Sequence, residues 1–261
     1  MPKEYNTYFE AFLGGGSLFF DLMPEKAYIN DKNEELINVY NSIKNNSSNL
    51  IVKLQEHQKN NSESYYYEIR DIDRNSMRFK RMSEAAKAAR TIYLNKTCYA
   101  GLYRVNSLGQ FNTPYANYAN PSIFDESRIR EASKYFKEKE IHISSMDFAE
   151  FLHKAKEGDF VYLDPPYWSE DKQKMFTSYQ KEGFDVHDQQ RLKETCDKLS
   201  QRGVYVIVSN AATSKIRNLY SNGYVIHTAR VERYIGNQYH DPMVTREFII
   251  CNYDSEGNIL L

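Results

Sequence analysis

The sequence predicts an α/β chain built on a doubly wound, mainly parallel sheet, with a mostly helical segment inserted into it. Three observations carry that reading. The apolar run Phe160-Val161-Tyr162-Leu163 has the composition of a buried strand and stops at Asp164-Pro165-Pro166-Tyr167, because two consecutive prolines neither extend a sheet nor begin a regular helix. Near the start, a β-prone stretch at Tyr8-Phe9 leads through Leu13-Gly14-Gly15-Gly16-Ser17 into the apolar-faced Leu18-Phe19-Phe20-Asp21-Leu22. Strand, glycine turn and helix in that order form a cradle for a nucleotide-like ligand, since glycine lets the backbone come close. From Ile141 onward, short apolar strands alternate with helix-length segments, which is the rhythm of a parallel sheet.

In chain order, the expected elements are as follows. Residues 1–44 give strand, loop, helix, strand and helix, the second strand being Ala27-Tyr28-Ile29-Asn30-Asp31. Residues 45–140 form the insert. Within it, residues 49–67 carry apolar positions at helical spacing, and residues 83–94 are Ala-rich with Ser83 placed to cap them. Asn45-Asn46-Ser47-Ser48 and Asn60-Asn61-Ser62 read as polar turns or caps, and a hairpin turns at Ser107-Leu108-Gly109-Gln110. The sheet resumes at Ile141-His142-Ile143, with helices over residues 147–156 and 186–202. Further strands follow at residues 204–208, 225–227 and 247–251. Residues 1–44 and 141–261 are thus expected to form one sheet domain, and residues 45–140 a separate lobe inserted into it.

Composition bounds the function. The chain has 261 residues, 41% of them hydrophobic, enough for one core and a smaller lobe. No stretch has the length and apolarity of a membrane span, and no signal peptide is visible. Cys98, Cys196 and Cys251 are far apart and match no zinc spacing; they suggest a reducing, cytoplasmic setting, and no metal is expected. Net charge is −1, which argues against indiscriminate nucleic-acid binding. Yet residues 85–124 contain no Asp or Glu while holding Lys87, Arg90, Lys96 and Arg104 among many aromatics. A local phosphate-facing surface needs that composition.

The chemistry is legible at two strand ends. An acid, a rigid backbone and an aromatic ring at the carboxyl end of a strand sit where open α/β sheets bind ligands. The Asp164 carboxylate and the Pro165 carbonyl can accept both protons of an exocyclic amine while the Tyr167 ring stacks on its base; Pro166 holds the turn rigid. Asp31, about twenty residues beyond the glycine loop, stands where a carboxylate accepts hydrogen bonds from ribose hydroxyls. It is also placed to cap the helix that follows. A helix cap is the competing reading of Asp147 as well.

These residues resemble a known family. The Gly14-Gly15-Gly16 loop, the Asp31 strand end and Asp164-Pro165-Pro166-Tyr167 look like the S-adenosylmethionine-dependent amino-methyltransferases of DNA. Their order, with the recognition segment between loop and tetrapeptide, resembles the Dam-like class of adenine-N6 methyltransferases (D12 class, alpha group). Gly101-Leu102-Tyr103-Arg104-Val105-Asn106 and Gly109-Gln110-Phe111-Asn112-Thr113-Pro114-Tyr115 resemble that class's recognition hairpin. The resemblance implies a Rossmann-like S-adenosylmethionine-dependent sheet and double-stranded DNA as substrate. It implies cofactor contacts at Glu10, Phe12, Gly14, Gly16, Asp31, Asp147, Phe148 and Asp164. It implies DNA contacts at Tyr99, Leu102, Arg104, Asn106, Asn112, Pro114 and Tyr118, with GATC or a GAT-containing site as target. Ala100 stands where the family usually has Asn, and Asn117 where a basic residue before Tyr118 is common.

Asp at position 164 favours adenine, since cytosine-directed relatives usually carry Ser there and glutamine-directed ones Asn. Dam-like enzymes also carry Gly-Gly-Lys ahead of the glycine loop, and Met1-Pro2-Lys3 holds no such motif. A split or catalytically impaired DNA-binding relative is therefore one alternative, and an RNA adenine methyltransferase another. The remaining expectations are a monomer without membrane contact, linked only functionally to a cognate restriction endonuclease.

Overall fold

The computed structural model describes residues 1–166, 184–233 and 243–260. Strands β1 (Tyr8–Glu10), β2 (Lys26–Asn30), β3 (Glu140–Ser144), β4 (Phe160–Leu163), β5 (Tyr205–Ala211), β6 (Val225–Arg233) and β7 (Met243–Cys251) form a sheet in the order β3-β2-β1-β4-β5-β7-β6. Neighbours from β3 to β5 are parallel, whereas β7 runs antiparallel to both β5 and β6. The fold is therefore the Rossmann-like α/β sheet expected of methyltransferases. Strand order reverses between β1 and β4, so the two central strands open a crevice at their carboxyl ends. Register makes this concrete: Glu10 pairs with Tyr162, which sets Asp164 two residues beyond the same edge.

Alternation along the strands divides the sheet into two packed faces. Phe9, Val161, Leu163, Val206 and Val208 point into one core, shared with α7 (Phe148–Leu152) and α8 (Val186–Gln201). Tyr8, Ala27, Ile29, Phe160 and Ile207 point into the other, shared with α1 (Ser17–Leu22), α2 (Glu34–Asn60) and α6 (Glu126–Glu138). The insert has its own core. Leu50, Leu54, Tyr66, Ala88, Tyr93 and Leu94 are fully buried there, between α2, α3 (Glu63–Arg70) and α5 (Glu84–Thr97). α2 belongs to both cores, giving Ile37 and Tyr40 to the sheet and Leu50 and Leu54 to the lobe.

Several local expectations are corrected. Asn45-Asn46-Ser47-Ser48 lies inside α2, where Asn46 alone leaves helical geometry (φ −146°, ψ 38°); burial of Ser42 before it and Leu50 after it keeps the helix going. Residues 49–67 are split, because Ser62 starts α3 by accepting from the Tyr65 amide at 3.3 Å. α7 ends at Leu152, where tight three-residue turns take over (Lys154 N to Phe151 O, 3.3 Å; Ala155 N to Leu152 O, 3.2 Å). β6 and β7 have nine residues each, longer than their apolar cores suggested, since pairing with each other continues past the buried part. Ser83 caps α5 as expected, accepting from the Ala86 amide at 3.3 Å. The recognition hairpin is no regular ladder: isolated bridges at Cys98–Tyr115 and Val105–Phe111 close it.

One strained position stands out beside that hairpin. Ala100 sits at φ 55°, ψ 16°, a left-handed conformation that costs a side chain with a Cβ roughly 1–2 kcal/mol. Asn tolerates it better. Ala100→Asn should therefore stabilise the fold by about 1 kcal/mol, or about 2–4 °C in thermal midpoint. An unchanged or lowered midpoint would show that the loop stores no such strain.

Candidate active site

The glycine loop is clamped from three directions. The Leu13 amide donates to the Asn30 carbonyl at 3.0 Å, and the Gly16 amide to the Leu13 carbonyl at 2.7 Å. The Gly14 amide donates to Asp31 Oδ2 at 2.9 Å, and the Tyr40 hydroxyl to the Gly14 carbonyl at 2.8 Å. Gly16 has φ 65°, which favours glycine, and a Cβ there would crowd the Tyr40 hydroxyl at 3.1 Å. Asp31 uses its second oxygen to accept the Asn33 amide at 2.9 Å. The cap of α2 is Asn33 and not Asp31: its Oδ1 accepts from the Glu35 and Leu36 amides. Burial pushes the Asp31 carboxyl up, opposed by its hydrogen bonds from the Asn33 and Gly14 amides.

Buried Asn30 joins three strand ends. Its amide donates to the Ala11 and Met146 carbonyls at 3.1 Å, while its oxygen accepts from the Met146 amide and the Ser144 hydroxyl at 3.0 Å. This leaves a pocket of about 170 Å³ whose lining includes Phe12, Asn30, Asp147, Phe148, Phe184 and Arg191. The three phenylalanines meet edge-on or tilted, with centroids 5.5–5.9 Å apart, a wall suited to a flat heterocycle. Asp147 caps α7, accepting the Ala149 amide at 2.9 Å, and its other oxygen pairs with Arg191. The capping reading of Asp147 therefore holds, and the residue also lines the pocket. Arg191 lies 4.4 Å over the Phe148 ring.

Glu10, at the end of β1, is 2% exposed and accepts the Tyr8 hydroxyl at 2.7 Å. Burial pushes its carboxyl up to about 8, the charges of Asp164 and Asp31 adding to the effect and the Tyr8 hydrogen bond opposing it. Asp164 itself is exposed, Pro165 buried and Pro166 half-buried. The turn they make is braced from behind: buried Gln189 donates to the Pro166 carbonyl at 3.4 Å and accepts from Asn210 at 3.1 Å. Tyr167 lies outside the described residues. Among the described residues no group of three or more His, Cys, Asp or Glu is arranged to hold a metal ion, and no helix is long and apolar enough to cross a membrane.

Of the expected site residues, Phe12, Asp147 and Phe148 line the pocket, with the loop held by Gly14 and Asp31 beside them. Asn30, Lys32, Met146, Phe184, Asp188 and Arg191 line it too and were not anticipated. Asn30 and Lys32, which flank Asp31, and Met146, which precedes Asp147, carried a signal by position. The others come from elements whose approach depends on tertiary packing.

In the hairpin, Arg104 Nε donates to Asn112 Oδ1 at 2.8 Å and its Nη2 to the Asn112 carbonyl at 3.2 Å, which fixes the guanidinium plane. Asn106 is occupied by the turn: its Oδ1 accepts from the Leu108 and Gln110 amides at 2.9 and 3.0 Å, and its Nδ2 donates to Gln110 Oε1. Tyr99 is 65% exposed, Pro114 is exposed, and Leu102 and Tyr118 are half-buried.

A family model for the D12 class of N6 adenine-specific DNA methyltransferases matches residues 1–235. The chain belongs to that class. It is 44% identical over 253 residues to the Type II methyltransferase M1.LlaDCHI of Lactococcus lactis subsp. cremoris, covering 97% of this chain and 88% of that one. It is 35% identical to the Type II methyltransferase M.MjaIII of Methanocaldococcus jannaschii, covering 97% and 92%. A DNA adenine methylase of Escherichia coli K12 is 28% identical over 87% of this chain and 80% of its own. The resemblance drawn from the glycine loop and the Asp-Pro-Pro-Tyr tetrapeptide is thereby confirmed, and the chain is an adenine-specific DNA methyltransferase.

Proposed function

We propose that this methyltransferase moves a methyl group from S-adenosylmethionine to N6 of an adenine flipped out of double-stranded DNA, at GATC or a GAT-containing site. The observation that carries the proposal is the placement of Asp164-Pro165-Pro166 at the carboxyl end of β4, beside the glycine-loop pocket on β1. The residues present fit the cofactor. Phenylalanines wall the pocket for an adenine ring, Asp31 stands at the ribose position, and the carboxyls of Asp31 and Asp164, whose charges both reach Glu10, favour a cationic ligand. When bound, the cofactor supplies an electrophilic methyl group on a sulfonium.

The protein's own part is to hold and activate the amine. An adenine N6 lone pair is delocalised into the ring and is a weak nucleophile. The Asp164 carboxylate and the Pro165 carbonyl accept its two N–H groups, drawing the nitrogen toward tetrahedral geometry and freeing the lone pair. Asp164 then stabilises the positive charge that develops on nitrogen, without having to reorganise. Gln189 and Asn210 keep the turn in place, and Tyr167 holds the extrahelical base by stacking. In-line displacement would leave the nitrogen cationic with one proton too many, and that proton would pass to water; much of the rate would come from positioning the amine. The recognition hairpin favours duplex DNA over RNA, and the Type II relatives favour a role beside an endonuclease of the same specificity. Tritium transfer from labelled cofactor into duplex DNA, but not into RNA of the same sequence, is the test. Label in RNA alone would overturn the DNA reading.

Asp31→Ala should weaken S-adenosylmethionine binding by roughly 1.5–3 kcal/mol, about ten- to a hundredfold, through one lost charge-assisted contact. Release of the Gly14 amide acts in the same direction. Unchanged affinity by calorimetry would reduce Asp31 to a brace for the glycine loop.

Glu10 has a pH signature. Its carboxyl is raised in the folded protein from the usual 4.5 to about 8, so the folded state binds the proton more tightly than the unfolded one. Its stabilising contribution is complete below pH 4.5 and is lost as pH rises through about 8. Glu10→Gln should therefore flatten the fall of thermal midpoint across that interval. Parallel profiles for variant and wild type would exclude it.

A further inference from the structure

The largest fully buried side chain among the described residues is a charged one. Arg90, on α5, is 1% exposed. Its Nε donates to the Ile69 carbonyl at 3.0 Å and its Nη2 to the Arg70 carbonyl at 2.8 Å, closing the end of α3. The same guanidinium pairs with Asp73 at 2.7 Å and with Glu35 at 3.6 Å. Burial raises the Glu35 carboxyl while Arg90 lowers it.

From this centre, bonded contacts lead both ways. Toward the hairpin, Asp73 accepts the Phe111 amide at 2.9 Å, and Arg74, paired with Asp73, donates to the Phe111 carbonyl at 2.6 Å. Phe111 opposes Val105 across the hairpin, and the bonds that close it come from the flanking residues, Asn106 N to Gln110 O and Asn112 N to Arg104 O, both 2.9 Å. Phe111's own amide and carbonyl therefore face outward, and Asp73 and Arg74 take both. The next residue, Asn112, is the one that holds Arg104. Toward the sheet, Glu35 accepts the Thr91 hydroxyl at 3.2 Å and stands in the first turn of α2. That turn begins at Asn33, whose amide Asp31 holds, and Asp31 in turn holds the Gly14 amide.

We propose that Arg90, Asp73, Arg74 and Glu35 form a positioning cluster that sets the hairpin at a fixed reach and angle from the methyl-transfer pocket, so that target discrimination depends on it. The proposal rests on the reading of Arg104 as a base contact. The physical reason is directional. Apolar contacts in the lobe core tolerate sliding, whereas buried charges with several partners have one geometry that satisfies them. A bidentate contact to a base loses both bonds when its arginine shifts by a fraction of its length. The adenine entering the pocket and the base read by Arg104 lie on one duplex, so their separation must be held constant.

The test uses two variants of the full chain. Asp73→Asn keeps an acceptor for the Phe111 amide and removes the charge that holds Arg90. Arg74→Ala removes the grip on the Phe111 carbonyl from a side chain 30% exposed, and so leaves the buried pair intact should the first variant fold poorly. Each is given a genome-complexity DNA pool, and methylation at the preferred site is compared with methylation at sites differing by one base pair. Cofactor affinity and thermal midpoint are measured alongside. The expected result is a loss of discrimination of tenfold or more in both, with cofactor affinity within threefold of wild type. Full discrimination in folded Arg74→Ala, or a lowered midpoint with unaltered discrimination in Asp73→Asn, overturns the proposal. Arg104→Ala separates it from its premise. Unchanged discrimination there overturns the base contact and this inference with it. Lost discrimination there, with full discrimination in the other two, overturns the cluster alone.

Discussion

Asp164→Ala is expected to abolish methyl transfer while DNA binding largely survives. In the proposed mechanism the carboxylate acts on the reacting nitrogen and not on phosphate, so the loss should fall on turnover and not on affinity. Removing one preorganised group aimed at developing charge costs roughly 10²–10³ in rate, and in the proposed mechanism the same group also binds the amine. Asp164→Asn should retain little more, because an amide accepts a hydrogen bond but carries no charge to offset the nitrogen's. Single-turnover kinetics with saturating DNA gives the comparison. Retention of more than a tenth of wild-type turnover by the alanine variant would remove Asp164 from the chemistry. The neighbouring position supplies a control of different character. Tyr167→Ala should lose activity, whereas Tyr167→Phe or Trp keeps part of it, since stacking needs only a π face. Equal behaviour of the Phe and Ala variants would exclude stacking.

Arg104→Ala should relax sequence preference at one base pair of the target, at a cost of about 1–3 kcal/mol in discrimination, the worth of a bidentate arginine–guanine contact in the major groove. The structure gives this prediction a geometric basis: Asn112 takes Nε and one edge of Nη2, so the guanidinium plane is set before DNA arrives. In the proposed reading Leu102 and Pro114 would meet a thymine methyl, and Tyr99, which is exposed, would fill the stack that the adenine leaves. The competing role for Arg104 is a phosphate grip, and salt tells the two apart. A lost phosphate contact weakens binding to all DNA alike and flattens the salt slope by about one unit, whereas a lost base contact leaves the slope and changes the site. Modified adenines scattered outside any GAT context in wild-type mapping would end the GAT assignment itself.

Asn106 and Asn112 show how the same motif divides once folded. Both are polar residues in the recognition segment, and from sequence both are candidates to touch a base. In the structure Asn106 spends its side chain on the Leu108 and Gln110 amides, and Asn112 spends its oxygen on Arg104. Asn106 therefore shapes the turn, and Asn112 orients the Arg104 guanidinium.

The sequence by itself determined the sheet class, the bounds of β4 and the strand–glycine–helix entry. These are local matters: alternation of apolar residues, two prolines that end a strand, and glycines where the backbone turns left-handed. It also determined the family, because the glycine loop and the tetrapeptide are short and chemically explicit. What only the tertiary structure decided is which side chains from distant segments meet. Phe184, Asp188 and Arg191 reach the pocket because α8 packs beside α7, and no periodicity in their own segment announces it. Asn30 bridges three strand ends through a fully used amide, a role set by the parallel order of β1, β2 and β3. Arg90 read as one more basic residue in an acid-free stretch and is instead the buried centre of an ion cluster. Hydropathy patterns record whether a residue leaves water. Whether a charged group that does so finds its partners depends on packing between elements far apart in the chain, and that is fixed only when the chain has folded.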